Sequence, residues 1–155
     1  LPNRRYALAA LEKLWEESNQ NDKLLACMMI DADHFKEVND NYGHDAGDLV
    51  LKELARALKH ALRTDDLVCR LGGDEFLVIC PNTNEEGCMY IAELMRKKIS
   101  ELRVPTSGEP WHGSVSVGVA ARNADTKNCD TLLKRADKNL YAAKDAGKNC
   151  VSSAS

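Results

Sequence analysis

The chain has 155 residues, of which 44% are hydrophobic and 29% charged. These proportions are typical of a single soluble globular domain and exclude a disordered or low-complexity chain. Its 21 basic and 24 acidic residues give a net charge of −3. That balance excludes the broad positive surface with which proteins hold nucleic-acid polymers or anionic membranes.

The first half of the chain is predicted to begin with a helix capped by Asn3 and ending near residues 18–22, because its apolar positions follow helical spacing. A buried strand is predicted over residues 24–30. A short helix then stops at Gly43, and a longer amphipathic helix begins near Asp45. Two helices therefore follow the first strand.

The middle of the chain is predicted to form a β-hairpin. Strands over residues 67–71 and 76–80 flank residues 72–75, whose glycines and acids suit a hairpin loop. Residues 83–86 have the form of a capping box, with Thr83 as the cap of the next helix.

A strand with period-two patterning is expected over residues 115–119, followed by a last helix from about Asp130. The complete order is α-βααββαβα, which predicts one antiparallel-rich α+β sheet flanked by helices. We assign residues 1–151 to a single domain and expect residues 152–155 to be a frayed tail.

Six cysteines are spread along the chain with no CxxC pair and no spacing typical of a zinc site. Cys27, Cys69 and Cys80 fall in apolar runs, which predicts buried, reduced thiols and a cytoplasmic location. No apolar run approaches the ~20 residues of a membrane span, so no membrane contact is expected. Because the sequence starts at Leu1 without a Met, we expect it to be part of a longer protein.

Two acidic clusters lie at the ends of predicted neighbouring strands. Asp31 and Asp33 follow the first strand, and residues 72–75 (Gly-Gly-Asp-Glu) form the hairpin tip. Carboxylates placed in this way suit a divalent cation held against a phosphate. Taken alone, the first cluster also fits a helix cap and the second a tight turn. Only one of Asp31 and Asp33 needs to be a ligand.

Three further segments have equally plain structural interpretations. Residues 43–48 fit either a ligand-contacting segment or an ordinary helix start. Lys144 and Lys148 close the last helix, where cations complement the helix dipole. Residues 63–66 read as a solvated helix end.

Five motifs nevertheless occur in a specific order: Leu1–Arg5, Asp31–Asp40, Tyr42–Asp48, Leu71–Phe76 and Ala136–Lys144. In this combination the chain, from Leu1 to Asn149, resembles the GGDEF domain of diguanylate cyclases. A single motif of this kind is weak, whereas five in order rarely agree by chance. The resemblance implies a fold similar to the palm of nucleotidyl cyclases and polymerases. It also implies a reaction that joins two GTP into cyclic di-GMP and releases two pyrophosphates.

The resemblance further implies a Mg²⁺ site, with Mn²⁺ as a substitute, formed by Asp31, the carbonyl of Ala32 and Asp74, with Glu75 as a further metal-side carboxylate. Asp74, Glu75 and Lys36 are the implied catalytic residues. The implied substrate-binding residues are Asn39, His44, Asp48, Gly72, Gly73, Lys144 and Lys148. Lys148 stands where the family usually has Arg, which replaces a bidentate phosphate contact by a point charge.

Regulation and assembly are also implied. Arg63 and Asp66 match the family's RxxD inhibitory motif, and Arg70 is expected to join them in binding the product. Turnover would need a facing homodimer, because one domain cannot present two α-phosphates to two hydroxyls. A sensor or receiver domain is expected in the parent protein.

Two alternatives stay open at this point. One is a catalytically silent module of the same fold that binds GTP or cyclic di-GMP for another protein. The other is a plain α+β scaffold whose acids are only caps and turns. Intact Asp31, Asp74 and Glu75 argue against the silent module, and the scaffold predicts no magnesium-dependent nucleotide binding and no loss in Asp74→Ala.

Overall fold

A computed structural model describes residues 1–153 of the chain. The elements are, in order, α1 (Arg4–Asn21), β1 (Leu25–Ala32), α2 (Phe35–Tyr42), α3 (His44–Ala61), β2 (Leu67–Gly72), β3 (Glu75–Pro81), α4 (Glu85–Ser100), β4 (Val115–Ala121), α5 (Cys129–Asp145) and β5 (Val151–Ser153). The predicted order is confirmed up to α5, and β5 is an addition. None of the described helices is long and apolar enough to cross a membrane.

The five strands form one sheet in the order β2-β3-β1-β4-β5. β1 lies at its centre and pairs antiparallel with both β3 and β4. Only β5 runs parallel to its neighbour, β4. The α+β class and the antiparallel-rich sheet are therefore as predicted.

Helices cover both faces of this sheet. Alternate residues of β1 point to opposite faces, so Met28 and Ile30 pack in the core formed with α2, α3 and α4, whereas Cys27 and Met29 pack in the core formed with α1 and α5. Because helices cover both faces, the positions of β4 that alternate with its valines are not exposed to solvent. Ser116 is fully buried, and a Cβ on Gly118 would lie 2.1 Å from the backbone nitrogen of Leu140 in α5.

The ends of two helices show how well local sequence predicts a cap. Asn3 caps α1 as expected, since its side chain accepts a hydrogen bond from the Tyr6 N–H at 3.0 Å. The predicted capping box of α4 is wrong by one residue, because Asn84 is the cap and accepts from the Gly87 N–H at 2.8 Å. The Thr83 hydroxyl instead donates to the Pro81 carbonyl at 2.9 Å.

The predicted frayed tail is also wrong where the structure describes it. Ser152 and Ser153 belong to β5, which pairs with Gly118 and Val119 of β4. The pairing gives the open edge of β4 hydrogen-bond partners, which explains why so short a strand is ordered. Residues 154–155 lie outside the described part of the chain.

The turn between β2 and β3 is tighter than the four-residue loop predicted. Gly72 pairs with Glu75, which leaves only Gly73 and Asp74 as the turn. The φ angles of Gly72 and Gly73 are +156° and +49°. Because residues with side chains rarely adopt such angles, the two glycines allow the turn that carries Asp74.

Candidate active site

The two acidic clusters meet at one end of the sheet. Asp31 lies directly opposite Glu75 in the ladder between β1 and β3. One residue further, the backbone N–H of Ala32 donates to the Asp74 carbonyl at 3.2 Å. The end of β1 is thereby fixed against the hairpin turn, and the Asp74 side chain lies within hydrogen-bonding reach of Asp31.

The electrostatics of this pair favour a cation. The pKa of Asp74 is raised from 3.8 to about 6, first by burial and then by the adjacent carboxylate of Asp31. Oδ1 of Asp31 is buried and has no hydrogen-bond partner among the described residues. A buried oxygen without a donor is costly, and a hard cation placed there would compensate it.

Lys144 supplies positive charge from the other side. Its ammonium group reaches from α5 to Oδ2 of Asp31, and the two side chains are 37% and 13% exposed. Burial lowers the pKa of Lys144, but the hydrogen bond to Asp31 and the charges of Asp31, Asp74 and Glu75 outweigh it, so the pKa is raised overall. Lys144 is therefore protonated and held at the acid pair.

The donor set fits Mg²⁺ with an open coordination sphere. Asp31 and Asp74 offer carboxylate oxygens, and Ala32, the residue after Asp31, offers a backbone carbonyl. Within residues 1–153 no group of three His, Cys, Asp or Glu side chains is arranged to hold a metal. With two carboxylates and one carbonyl as protein ligands, a bound Mg²⁺ would keep positions for phosphate oxygens and water, as is usual for this ion. A direct bond from Glu75 stays a prediction.

The exposed Arg70 restrains the hairpin turn. Its Nε and Nη2 donate to the Gly73 carbonyl at 2.9 and 2.7 Å. Its own backbone N–H donates to the Pro2 carbonyl at 3.0 Å, so β2 is tied to the residues before α1. These contacts fix the peptide that precedes Asp74.

The residues predicted to bind the nucleoside lie on α2 and α3, across the sheet from Lys144. Asn39 is half-buried, and its Oδ1 is 1.8 Å from the position that a Cβ on Gly47 would occupy. Gly47 is therefore needed for α3 to approach Asn39. Asp48 is exposed, as are His44 and Lys36. Among the described residues, no hydrogen bond or ion pair joins this group to Asp31 or Asp74.

A separate cleft of about 460 Å³ lies along α2 and the segment leading into β4. His34, Tyr42, Trp111 and Asn149 are among its lining residues, and none of the predicted site residues contributes to it.

Asp33 has a role that the sequence did not predict. It is only 4% exposed, and its carboxylate accepts hydrogen bonds from the hydroxyls of Ser114 and Ser116, both at 2.6 Å, and from the Asn149 N–H at 3.0 Å. Only one aspartate of the Asp31–Asp33 pair thus faces the candidate metal position. The signal available in the sequence was Ser116 within the apolar strand β4, with Ser114 just before it.

A family model described as "Diguanylate cyclase, GGDEF domain" matches residues 1–150. The chain belongs to the GGDEF family. This agrees with the order of the five motifs and with the meeting of Asp31 and Asp74 at the hairpin.

Individual relatives support the same assignment of the GGDEF domain. Diguanylate cyclase A of Treponema denticola is 40% identical over 134 residues, which cover 86% of this chain and 36% of that protein. The response regulator PleD of Caulobacter vibrioides is 39% identical over 153 residues, covering 97% of this chain and 34% of PleD. The GGDEF domain thus spans about a third of these curated relatives.

A solved structure gives the corresponding agreement in three dimensions. The GGDEF domain of DgcB from Caulobacter crescentus, crystallised in complex with c-di-GMP, superposes with a TM-score of 0.94 at 28% identity. The match covers 99% of this GGDEF domain and 91% of that chain.

The RxxD segment of the GGDEF domain forms a fixed ion pair. Nε and Nη2 of Arg63 each donate to Asp66 at 3.0 Å, and the Arg63 backbone N–H does the same. The Asp66 side chain is completely buried and the Arg63 side chain is 53% exposed. Arg63 Nη2 also donates to the Thr83 hydroxyl.

A cleft of about 420 Å³ beside Arg63 and Asp66 is lined by Leu1, Pro2 and Lys59 but not by Arg70. Membership of Arg70 in a product site stays a prediction.

Proposed function

We propose that this GGDEF domain is an active diguanylate cyclase that condenses two GTP into cyclic di-GMP and two pyrophosphates. The observation that carries the proposal is the pair Asp31 and Asp74, with a buried, unpartnered carboxylate oxygen and the ammonium group of Lys144 beside it. A relative 40% identical bears the name diguanylate cyclase, which supports the same activity.

Each residue of the acid pair has a definite task in this proposal. Asp31, Asp74 and the Ala32 carbonyl would hold Mg²⁺, for which Mn²⁺ could substitute. When bound, the metal would polarise the α-phosphate and stabilise the charge of the leaving pyrophosphate. Asp74 and Glu75 are the carboxylates we propose to accept the proton of the attacking 3′-hydroxyl.

Basic residues and the glycine turn would hold the triphosphate. Lys36, Lys144 and Lys148 come from two different elements and the turn after α5, so they could neutralise phosphate charge from different directions. Gly72 and Gly73 carry no side chains, and no atom lies within 4 Å of where their Cβ atoms would be. That space allows the nucleotide to approach the backbone closely.

Specificity for guanine is assigned to Asn39, Asp48 and His44. An amide offers both a donor and an acceptor, and a carboxylate accepts from N–H groups, which matches the guanine edge and not the adenine edge. The contact of Asn39 with Gly47 would hold its amide in place before the base arrives.

Catalysis is proposed to need two copies of the domain facing each other. The reaction has two attacking hydroxyls and two α-phosphates, so each copy would contribute one bound GTP. We place the domain in the cytoplasm, where its six free thiols would stay reduced. We also expect a sensor or receiver domain in the parent protein, as the name of the relative PleD, a response regulator, suggests.

Feedback by the product is proposed at Arg63 and Asp66. Asp66 holds Nε and Nη2 of Arg63, and no described bond occupies Nη1. Because Nη2 also donates to the Thr83 hydroxyl, the N–H groups of Nη1 remain, and they are suited to a guanine acceptor such as O6 or N7. Arg70 would join them only if its bonds to Gly73 were exchanged for the product.

The decisive test is chromatography of the products formed from GTP and Mg²⁺ by the wild type, by Asp74→Ala and by Asp125→Ala. Asp125 is an exposed loop residue outside the site and serves as the matched control. We expect cyclic di-GMP from the wild type and the control, and none from Asp74→Ala. Bound GTP or cyclic di-GMP without product would instead support a receptor module, and neither binding nor product would support a plain scaffold.

A further inference from the structure

We propose that Asp33 and Arg96 are positioning residues that hold the turn after α5, residues 147–149, so that Lys148 is presented to the substrate phosphates. This inference rests on the proposed function, because it takes Lys148 as a phosphate contact. It assigns roles to Asp33 and to Arg96 of α4, neither of which contacts the reacting atoms.

The turn has an uncommon backbone conformation. The φ angles of Gly147, Lys148 and Asn149 are +119°, +67° and +46°. Glycine adopts such angles without strain, but Lys148 does so only at a cost. A run of left-handed residues persists where neighbouring groups fix it from several sides.

Asp33 fixes the turn from the sheet. One oxygen of its buried carboxylate accepts from the Asn149 N–H at 3.0 Å and from the Ser114 hydroxyl at 2.6 Å. The other oxygen accepts from the Ser116 hydroxyl at 2.6 Å. Because one oxygen is bonded to Ser114, just before β4, and the other to Ser116 in β4, the carboxylate cannot rotate away from Asn149 without breaking those bonds.

Arg96 fixes the turn from the side. Its Nη1 donates to the Asn149 side-chain oxygen at 2.8 Å. Its Nε donates to both oxygens of Glu93, at 3.1 and 3.0 Å, which orients the guanidinium on the surface of α4. Asn149 is thus held through its backbone by Asp33 and through its side chain by Arg96.

The remaining bonds connect the turn to the acid pair. The N–H of Lys148 donates to the Ala143 carbonyl at 3.1 Å, and the N–H of Gly147 donates to the Lys144 carbonyl at 3.2 Å. Lys144 contacts Asp31, two residues before Asp33. The end of β1 therefore sets the positions of both lysines relative to the proposed metal site.

This arrangement would reduce the cost of binding a triphosphate. Lysine has a flexible side chain and a point charge, whereas the planar guanidinium of arginine is preorganised for two hydrogen bonds to a phosphate. Lys148 therefore depends more on a fixed backbone to bring its charge to the phosphate. A fixed backbone limits the positions that the Lys148 ammonium samples before binding. Less conformational entropy is then lost when it contacts a phosphate, which is the usual benefit of preorganisation.

The test is a double-mutant cycle between Arg96→Ala and Lys148→Ala, read out as the dissociation constant of GTP by calorimetry with Mg²⁺ and, in parallel, as KM and kcat. Arg56→Ala is the matched control, because Arg56 makes the same i,i+3 ion pair with Glu53 on α3. We expect Arg96→Ala alone to weaken GTP binding about fivefold, the scale of one net hydrogen bond, with little change in kcat and none in the control.

In the Lys148→Ala background the same Arg96→Ala change should have almost no effect on GTP affinity. Equal effects in both backgrounds would overturn the inference, since a merely structural loss does not depend on the lysine. Asn149→Gly, which removes the acceptor but tolerates the left-handed conformation, should reproduce Arg96→Ala, and a wild-type affinity in that variant would also contradict the inference. Asp33→Asn is a second probe, with thermal unfolding to verify folding.

The binding readout separates this inference from the proposed function. If no cyclic di-GMP forms but the effects of Arg96→Ala and Lys148→Ala on GTP affinity are coupled, the proposed enzymatic activity is rejected and the positioning role stands. If the domain is fully active but the two effects are independent, the activity stands and the positioning role is rejected.

Discussion

Lys144 and Asp31 are 113 residues apart in sequence, yet the Lys144 ammonium contacts one oxygen of the Asp31 carboxylate while the other oxygen is buried without a donor among the described residues. One carboxylate therefore meets a fixed positive charge on one side and a suitable cation position on the other. Asp74 completes this position from the hairpin turn, which is why the central acid pair depends on three separate segments.

Removing the Lys144 charge should strongly impair the site. In Lys144→Met the Asp31 and Asp74 carboxylates lose their nearby positive charge, and we expect kcat/KM for GTP to fall at least about tenfold. Lys138→Met is the control, because Lys138 is exposed on the same helix. Steady-state kinetics measure the effect, and equal losses in the two variants would argue against a specific role for Lys144.

The raised pKa of Asp74 predicts how stability depends on pH without metal. Its pKa is about 6 in the folded chain against 3.8 for a free carboxyl, so folding favours the protonated form. The stabilising contribution is full below pH 4 and disappears as the pH rises through 6. In EDTA, Asp74→Asn should therefore melt above the wild type at pH 8, and this difference should shrink toward pH 4.

Magnesium should act on the same charge. At pH 8 it should raise the melting temperature of the wild type, and the increase should fade below pH 6, where protons compete for the carboxylates. Asp74→Asn should respond much less. If the difference in melting temperature between Asp74→Asn and the wild type in EDTA stays constant from pH 4 to 8, the ionisation that destabilises the chain is not that of Asp74.

Arg63→Ala should relieve product inhibition and also destabilise the domain. The buried Asp66 carboxylate would lose its side-chain donors, at a cost of about 1–3 kcal/mol. Rates with added cyclic di-GMP measure the first effect, and urea unfolding measures the second. Arg103→Ala, an exposed change elsewhere, should alter neither quantity. Unchanged inhibition in a folded Arg63→Ala would remove the product site from this segment.

Gly118→Ala tests the packing of α5 on the sheet. The added Cβ would lie 2.1 Å from the Leu140 nitrogen and 2.2 Å from the Ala136 carbonyl oxygen, and backbone atoms cannot yield as a flexible side chain does. We expect a loss of about 1–3 kcal/mol in the free energy of unfolding. In Gly108→Ala the new Cβ would meet only the Tyr42 ring, so a much smaller loss is expected. Equal stabilities would contradict the close packing.

Local sequence signals predicted most of the elements, and the errors have identifiable causes. Asn3 is a good cap with a clear helix after it, whereas Thr83 and Asn84 are adjacent capping residues. The choice between them depends on Arg63, which is 20 residues away and donates to Thr83. β5 has only three residues and exists through pairing with β4, so no periodicity could reveal it.

The residues of the candidate site differ in how visible they are in the sequence. The turn glycines and Asp74 form a local motif that the sequence displays directly. Asp33, in contrast, was not assigned its role, because Ser114 and Asn149 lie 81 and 116 residues further along the chain. Short-range patterns point to candidate residues such as Asp74, whereas the partners of Asp33 are visible only in the tertiary structure.

The most direct test of the central claim, a cyclase that acts as a facing pair, is the initial rate of cyclic di-GMP formation from GTP and Mg²⁺ over a wide range of protein concentration. A facing pair should give a rate that rises faster than linearly with protein at low concentration and approaches linearity once the pairs are formed. A rate that is linear throughout, down to concentrations at which light scattering reports only monomer, would contradict it, as would the absence of product at every concentration.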